Sequence, residues 1–288
     1  MCLIVFAVGA SRSWPLVIAS NRDEFLDRPT LPLAKWQTGL GHEIISGRDL
    51  RAGGTWLGVT PGGRVAFLTN VREQVAKPAP LSRGQLVTRW LDSSDDAASF
   101  AAALERDSGA YGGFNLVIGD LQRNEWAWMT NKSTGAIAGW HVQSLSAGVY
   151  GLSNAGLDTP WPKTTELKRV LTTALAEQTE VPNLDALQAP LWTALSNRKR
   201  APIEKLPATG VPLAIEEALS SAFVNFPENT YGTRSSTVLV INRKETGSKT
   251  QCWEVQMEEL THVRGKLDQS AQAVTSSIVS FALDLRWP

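Results

Sequence analysis

The sequence predicts an α+β protein built on antiparallel sheets. Three observations carry this. Strand-like runs come in pairs separated by short turns, helical periodicity clusters in the middle of the chain, and strands return at the end. That order differs from the regular strand–helix alternation of a parallel sheet. The 288 residues, 43% of them hydrophobic, are enough for one large core or two modest ones. No internal repeat or low-complexity linker divides the chain, so one domain over residues 1–288 is expected. Within it, residues 261–288 form a weakly patterned tail.

The apolar runs at residues 3–8 and 16–20 flank Gly9-Ala10-Ser11-Arg12-Ser13 and predict a hairpin. Residues 55–60 and 65–69 flank Pro61-Gly62-Gly63 and predict a second. Between the hairpins, residues 47–54 read as a glycine-rich loop whose backbone can approach a ligand closely. It lacks the Gly-Lys-Ser/Thr ending of a phosphate-binding P-loop. Ser82 can cap a helix running to about Leu91, and Asp95 or Asp96 can cap residues 97–106. Strands follow at 114–118, 125–130, 136–142 and 149–152. Leu167, Val170, Leu171 and Leu175 make the apolar stripe of a helix over 160–178. Residues 184–197 and 213–224 also read as helical, with Pro190 kinking or splitting the first. Strands at 237–242 and 253–257 close the pattern.

Composition excludes several functions. Net charge is +0, and the one dense basic stretch, Arg198-Lys199-Arg200, falls where a helix should end. No nucleic-acid footprint is expected. The opening apolar run stops at Gly9, short of the ~20 residues a spanning helix needs, and it lacks the flanks of a signal peptide. Two cysteines are too few for a disulfide framework, and a reducing cytoplasm is the simplest setting. The eleven tryptophans are expected mostly in the core, with a few, Trp56 among them, lining an apolar pocket.

The chemistry starts at Cys2. Initiator methionine is usually removed before a small residue, which would leave a cysteine with a free α-amine. The amine, with a pKa near ~7.7–8.0, and the thiol, near ~8.5, form a nucleophile with a built-in base. The plainer reading makes Cys2 a small hydrophobe opening a buried strand. Asn21-Arg22-Asp23-Glu24 ends the second strand, so the hairpin would return it to Cys2. There an aspartate can hold the amine and an arginine can steady the thiolate. Adjacent residues on a strand point to opposite faces, so Asn21 or Glu24 can take part in place of one of them. Asn70, Asn154 and Arg234 also stand at strand ends, and asparagine amides are common parts of an oxyanion hole.

Residues 21–24, 47–60, 67–73, 113–120, 151–163 and 231–241, with Ser82-Arg83-Gly84-Gln85-Leu86, resemble the NRDE family, also known as the transport-and-Golgi-organisation type 2 proteins. The resemblance covers about residues 1–255. More distantly, the chain is similar to the cysteine branch of the N-terminal-nucleophile hydrolases, such as penicillin V acylase, bile-salt hydrolase and acid ceramidase. That resemblance implies a four-layer αββα sandwich and cleavage of a linear C–N amide bond without a cofactor. By motif order it places catalytic roles on Cys2, Arg22, Asp23, Asn70, Asn154 and Arg234. Those acylases space their Arg and Asp three positions apart, whereas here the two are adjacent. Asn21, Glu24, Gly53 and Trp56 are the candidate substrate-binding residues. The NRDE resemblance implies an alternative, a carrier of haem or a lipid-like acyl ligand. None of His42, His141 and His262 has metal-ligand spacing, and no metal site is expected; a Cys2 thiolate is itself a ligand type for haem iron.

Overall fold

The first strand is buried at every position because each of its faces meets a different layer. Leu3, Val5 and Ala7 pack towards helices, whereas Cys2, Ile4, Phe6 and Val8 pack into the space between two sheets. A strand covered on both sides reads as an unbroken apolar run rather than an alternating one. The structure, a computed structural model, describes residues 2–74, 78–133, 137, 139–178, 182–226, 230–244, 252–264 and 272–283.

The described elements are, in order, β1 (Cys2–Val8), β2 (Leu16–Phe25), β3 (Thr30–Gln37), β4 (Glu43–Asp49), β5 (Leu57–Val59) and β6 (Arg64–Asn70). Then come α1 (Gly84–Asp92), α2 (Ala97–Asp107), β7 (Phe114–Asp120), β8 (Glu125–Thr130), β9 (His141–Ser144) and β10 (Gly148–Leu152). The chain continues through α3 (Pro162–Ala176), α4 (Leu184–Leu195), α5 (Leu213–Ala218), β11 (Asn225–Phe226), β12 (Tyr231–Lys244), β13 (Cys252–Arg264) and β14 (Gln272–Leu283). One antiparallel sheet has the order β10-β1-β2-β12-β13-β14, with β11 beside β12. The other runs β3-β4-β5-β6-β7-β8-β9. Phe6, Phe67, Val117, Trp128 and Leu239 fill the space between the sheets. Helices α3 and α4 cover the outer face of the first sheet, and α1 and α2 cover the second. The layers are therefore αββα, the order expected from the sequence.

Several elements differ from the sequence-based expectation. Gly47, Arg48 and Asp49 belong to β4, and only the turn after them is a loop. A Cβ on Gly47 would lie 2.4 Å from the Trp56 ring, so this glycine admits the indole rather than a ligand. Ser82 does not cap α1; Arg83 holds the N-cap position, with no side-chain cap bond. Asp96 does cap α2, accepting from the Ser99 N–H at 2.7 Å. Pro190 lies inside α4 without dividing it, because Leu187, Leu191 and Leu195 anchor both halves on the sheet. The helix expected over 213–224 ends at Ala218. Its later backbone groups bond elsewhere: the Ala222 carbonyl accepts from Asn21, and the Phe223 N–H donates to Asn197. The expected tail contains the end of β13 and an edge strand, β14. Val279, Phe281 and Leu283 of β14 face the core, while exposed Val274 and Ile278 blur the alternation. Residues 265–271 and 284–288 lie outside the described residues, as do residues 134–136 and 138 in the expected strand 136–142.

Candidate active site

Pairing of β1 with β2 sets Cys2 directly opposite Arg22. Opposed residues share a face, so both side chains turn inward. The Arg22 guanidinium lies 4.1 Å from the centroid of the Trp56 ring and 4.0 Å from the Glu24 carboxylate. Asp23 turns to the other face, where it accepts a hydrogen bond from the Thr233 hydroxyl at 2.7 Å. The opposition expected of adjacent strand residues is present. At the strand end it does not separate them: Cys2, Arg22, Asp23, Trp56 and Asn70 line one narrow cleft of about 80 Å³. Because Leu3 faces Asn21 and Cys2 faces Arg22, the amino side of Cys2 runs towards Asp23.

Asn70 ends β6 on the cleft wall. Buried Asn154 lies behind it and donates to the Asn70 carbonyl at 2.8 Å. The Asn154 carbonyl accepts from the Arg72 N–H at 2.7 Å. Its neighbour Ser153 donates to the Cys2 carbonyl at 3.2 Å. Residues 153 and 154 thus lace one sheet to the other beside the thiol. Asn154 positions the wall but does not line the cleft.

The remaining candidates divide. Glu24 lines the cleft. Arg234 does not; it sits at a shift in the β2–β12 register, between Thr233 and Ser235. Such a bulge re-aims a side chain. The Arg234 guanidinium donates to the carbonyls of Phe25, Leu26 and Arg28 at 2.8–3.0 Å, fixing the turn that carries Arg28. Asn21 faces the helices and donates to the Leu195 and Ala222 carbonyls, each at 2.8 Å. Gly53 has φ +77 in the turn after β4 and is not on the cleft wall.

Burial pushes the Cys2 thiol above its ordinary pKa. Burial also raises the Asp23 carboxyl, and the Lys163 ammonium pulls it back. Lys163 itself is lowered to about 8 by burial, against the opposing pull of Asp23. Behind this pair, Arg72 and Glu216 form a buried ion pair, with Trp161 under the guanidinium at 4.7 Å. Sequence reasoning missed Lys163, Arg72 and Glu216. Each looks like a solvated charge until the chain is folded, although Lys163 and Arg72 lie inside family-like segments.

The cleft opens into a chamber of about 400 Å³ that shares Glu24, Arg28, Asn70 and Arg83 with it. Phe25, Ile215, Leu219, Phe226 and Tyr231 give the chamber an apolar wall. The histidines stand elsewhere: His42 pairs with Asp92, His141 packs on Trp128, and His262 bonds Ser236. Among the described residues no group of three His, Cys, Asp or Glu side chains could hold a metal ion. No helix among them is long and apolar enough to cross a membrane.

The geometry can be set beside known proteins. The family model for Transport and Golgi organisation 2 matches residues 1–259. The chain belongs to this family. It is 32% identical over 281 residues to the Transport and Golgi organization protein 2 homolog of Bos taurus, covering 90% of this chain and 98% of that protein. The Homo sapiens homolog is 30% identical over 257 residues, covering 84% and 89%. Among solved structures, an N-acylethanolamine-hydrolyzing acid amidase ortholog from Caenorhabditis elegans aligns with a TM-score of 0.47 at 13% identity, over 83% of this chain and 92% of that one. A mutant conjugated bile acid hydrolase from Clostridium perfringens aligns with a TM-score of 0.41 at 8% identity, over 96% of each chain.

Proposed function

We propose that the protein is an N-terminal-nucleophile-type hydrolase that cleaves a linear C–N amide, or a related acyl bond, through Cys2. The observation that carries this is the sharing of one cleft by Cys2, Arg22, Asp23 and Asn70 at the meeting edge of two sheets. Met1 lies outside the described residues, and the reading requires its removal. The freed α-amine of Cys2 takes the thiol proton, and Asp23, on that side of the strand, holds the resulting ammonium. Arg22 favours the thiolate and opposes the upward push of burial. Thiolate sulfur attacks the acyl carbon, and Asn70, a residue of the cleft wall, donates to the oxyanion. Collapse expels the amine, which leaves with the proton from the α-ammonium. A water then attacks the thioester, gives its proton to the α-amine, and releases the acid and the thiol. A reducing compartment such as the cytoplasm would keep this thiol free.

Intact-mass analysis of the protein from cells tests the reading first. A retained Met1 or an acetylated Cys2 leaves no amine base and overturns it. Incubation with an acyl-amide and thioester panel should build an acyl adduct on Cys2 that turns over. Cys2→Ala should abolish turnover while ligand affinity stays close to wild type.

The apolar wall of the chamber favours a second reading, a non-catalytic carrier of a lipid-like ligand or haem. No histidine lines the cleft or the chamber, so a group other than histidine, such as the Cys2 thiolate, would supply the iron ligand. Saturable haem or lipid binding by a protein that traps no acyl group would favour the carrier.

A further inference from the structure

Four arginines line the cleft and the chamber: Arg22, Arg28, Arg51 and Arg83. Three of them face carboxylates. Arg22 approaches Glu24 at 4.0 Å, Arg28 binds Asp49 at 2.6 Å, and Arg51 approaches Asp27 at 3.6 Å. Arg83 has no ion-pair partner among the described residues. Among the described residues the one hydrogen bond of its guanidinium runs from Nη1 to the Gly113 carbonyl at 3.2 Å. The two carboxylates whose charge acts on Arg83 are engaged elsewhere: Glu24 by Arg22 and Arg28, and Glu73 by Lys132 at 2.8 Å.

The seat of Arg83 is built. Gly112 packs against the guanidinium, where a Cβ would lie 3.6 Å from Nη1, and the next residue supplies the accepting carbonyl. The residue sits at the N-cap of α1, so its backbone is held by a helix packed on β5 and β6. Gly84, next in sequence, is pressed against Gly54 on the opposite side of the turn. Arg83 lines both cavities, so its guanidinium stands where the thiol cleft meets the chamber. A guanidinium offers five N–H donors in a planar fork that matches carboxylate and phosphate oxygens. Across from it lies the apolar wall of Phe25, Ile215, Leu219, Phe226 and Tyr231.

We infer that Arg83 anchors an anionic group of the acyl ligand, a carboxylate or a phosphate, while the ligand's apolar part lies in the chamber. This deepens the proposed function and rests on the reading that the chamber receives an acyl ligand. It names the class as an amphipathic anion, with its charge at the junction beside Cys2. Arg83 is then the residue that selects charged acyl ligands over neutral ones of the same chain length.

The test uses equilibrium binding, so it does not depend on turnover. Octanoate, octyl phosphate and 1-octanol are titrated by calorimetry into Cys2→Ala protein and into the same protein carrying Arg83→Gln or Arg83→Lys. At least one anion should bind the Cys2→Ala parent about 10–100-fold more tightly than octanol, the range of a charge-assisted hydrogen bond. Whichever anion binds more tightly identifies the group as carboxylate or phosphate. Arg83→Gln should bring the anions down to the affinity of octanol, and Arg83→Lys should keep part of the preference. Equal binding of octanol and both anions by the parent overturns the inference. So does an anion preference that survives in Arg83→Gln. If Arg83→Gln does not fold, the parent comparison and Arg83→Lys decide. Failure of hydrolysis is read separately, as the absence of an acyl adduct on wild-type Cys2.

Discussion

Asn154 donates its side-chain amide to the Asn70 carbonyl at 2.8 Å, across 84 positions of sequence. Asn70 is on the cleft wall and Asn154 is behind it. Removal of the amide takes that donor from a partly buried carbonyl. Asn154→Ala should lower stability by about 1–3 kcal/mol in urea unfolding. Because the loss loosens Asn70, kcat on an acyl substrate should fall by more than KM rises. A variant destabilised with unchanged kcat would confine Asn154 to scaffolding.

The pair of Arg72 and Glu216 is sealed from solvent at both ends. Breaking such a pair strands a charge in the interior. Glu216→Ala should cost about 3–5 kcal/mol in chemical denaturation. It should also free Thr209, whose N–H donates to the same carboxylate at 3.0 Å. Faster amide exchange at Thr209, measured by hydrogen–deuterium exchange, is the local signature.

Two neighbouring glycines should respond differently to alanine. At Gly53 the backbone has φ +77 and open space around it, so Gly53→Ala should cost about 1–2 kcal/mol from the left-handed conformation alone. At Gly54 a Cβ would lie 2.4 Å from the Gly84 carbonyl carbon, backbone against backbone. Gly54→Ala must push α1 and Arg83 away from the cleft. Its loss of thermal stability should exceed that of Gly53→Ala, and anion binding should weaken with it.

Burial holds the His262 imidazole down at about 4, and Arg198 adds to the effect. In the unfolded chain the ring titrates near ~6.5. Between those values the unfolded state binds more protons, so stability rises with pH. The His262 contribution is fully present above about pH 6.5 and is lost as pH falls towards 4. The loss is at most about 3 kcal/mol. His262→Gln should flatten the slope of Tm between these limits, measured by calorimetry at several pH values.

The hairpin that opposes Cys2 and Arg22 was legible because its two apolar runs flank turn residues at short range. The strand β3 was not, since it is a largely exposed edge with Pro32 inside and little alternation. Charged residues were the hardest to read. Arg72, Lys163 and Glu216 acquire meaning only when segments far apart in sequence are packed together. Motif order puts Arg234 in the catalytic set, and the structure holds its guanidinium on the Phe25–Arg28 turn through a shift in strand register. Sequence periodicity carries no signal for a single extra residue in a ladder.

The strand pairing also sets the order in which the protein can be made. β2 is flanked by β1, which precedes it closely, and by β12, where Ala19 faces Val238. On the ribosome the opening hairpin emerges first and then waits for about 200 more residues before that edge is covered. At ~5–20 residues per second, this exposes an apolar strand edge for tens of seconds. Unpaired edges of this kind invite pairing with other chains. The nascent chain therefore has a long interval of vulnerability that a holding chaperone would shorten. Protection of the Cys2 thiol from alkylating reagents would then time the completion of the sheet during translation.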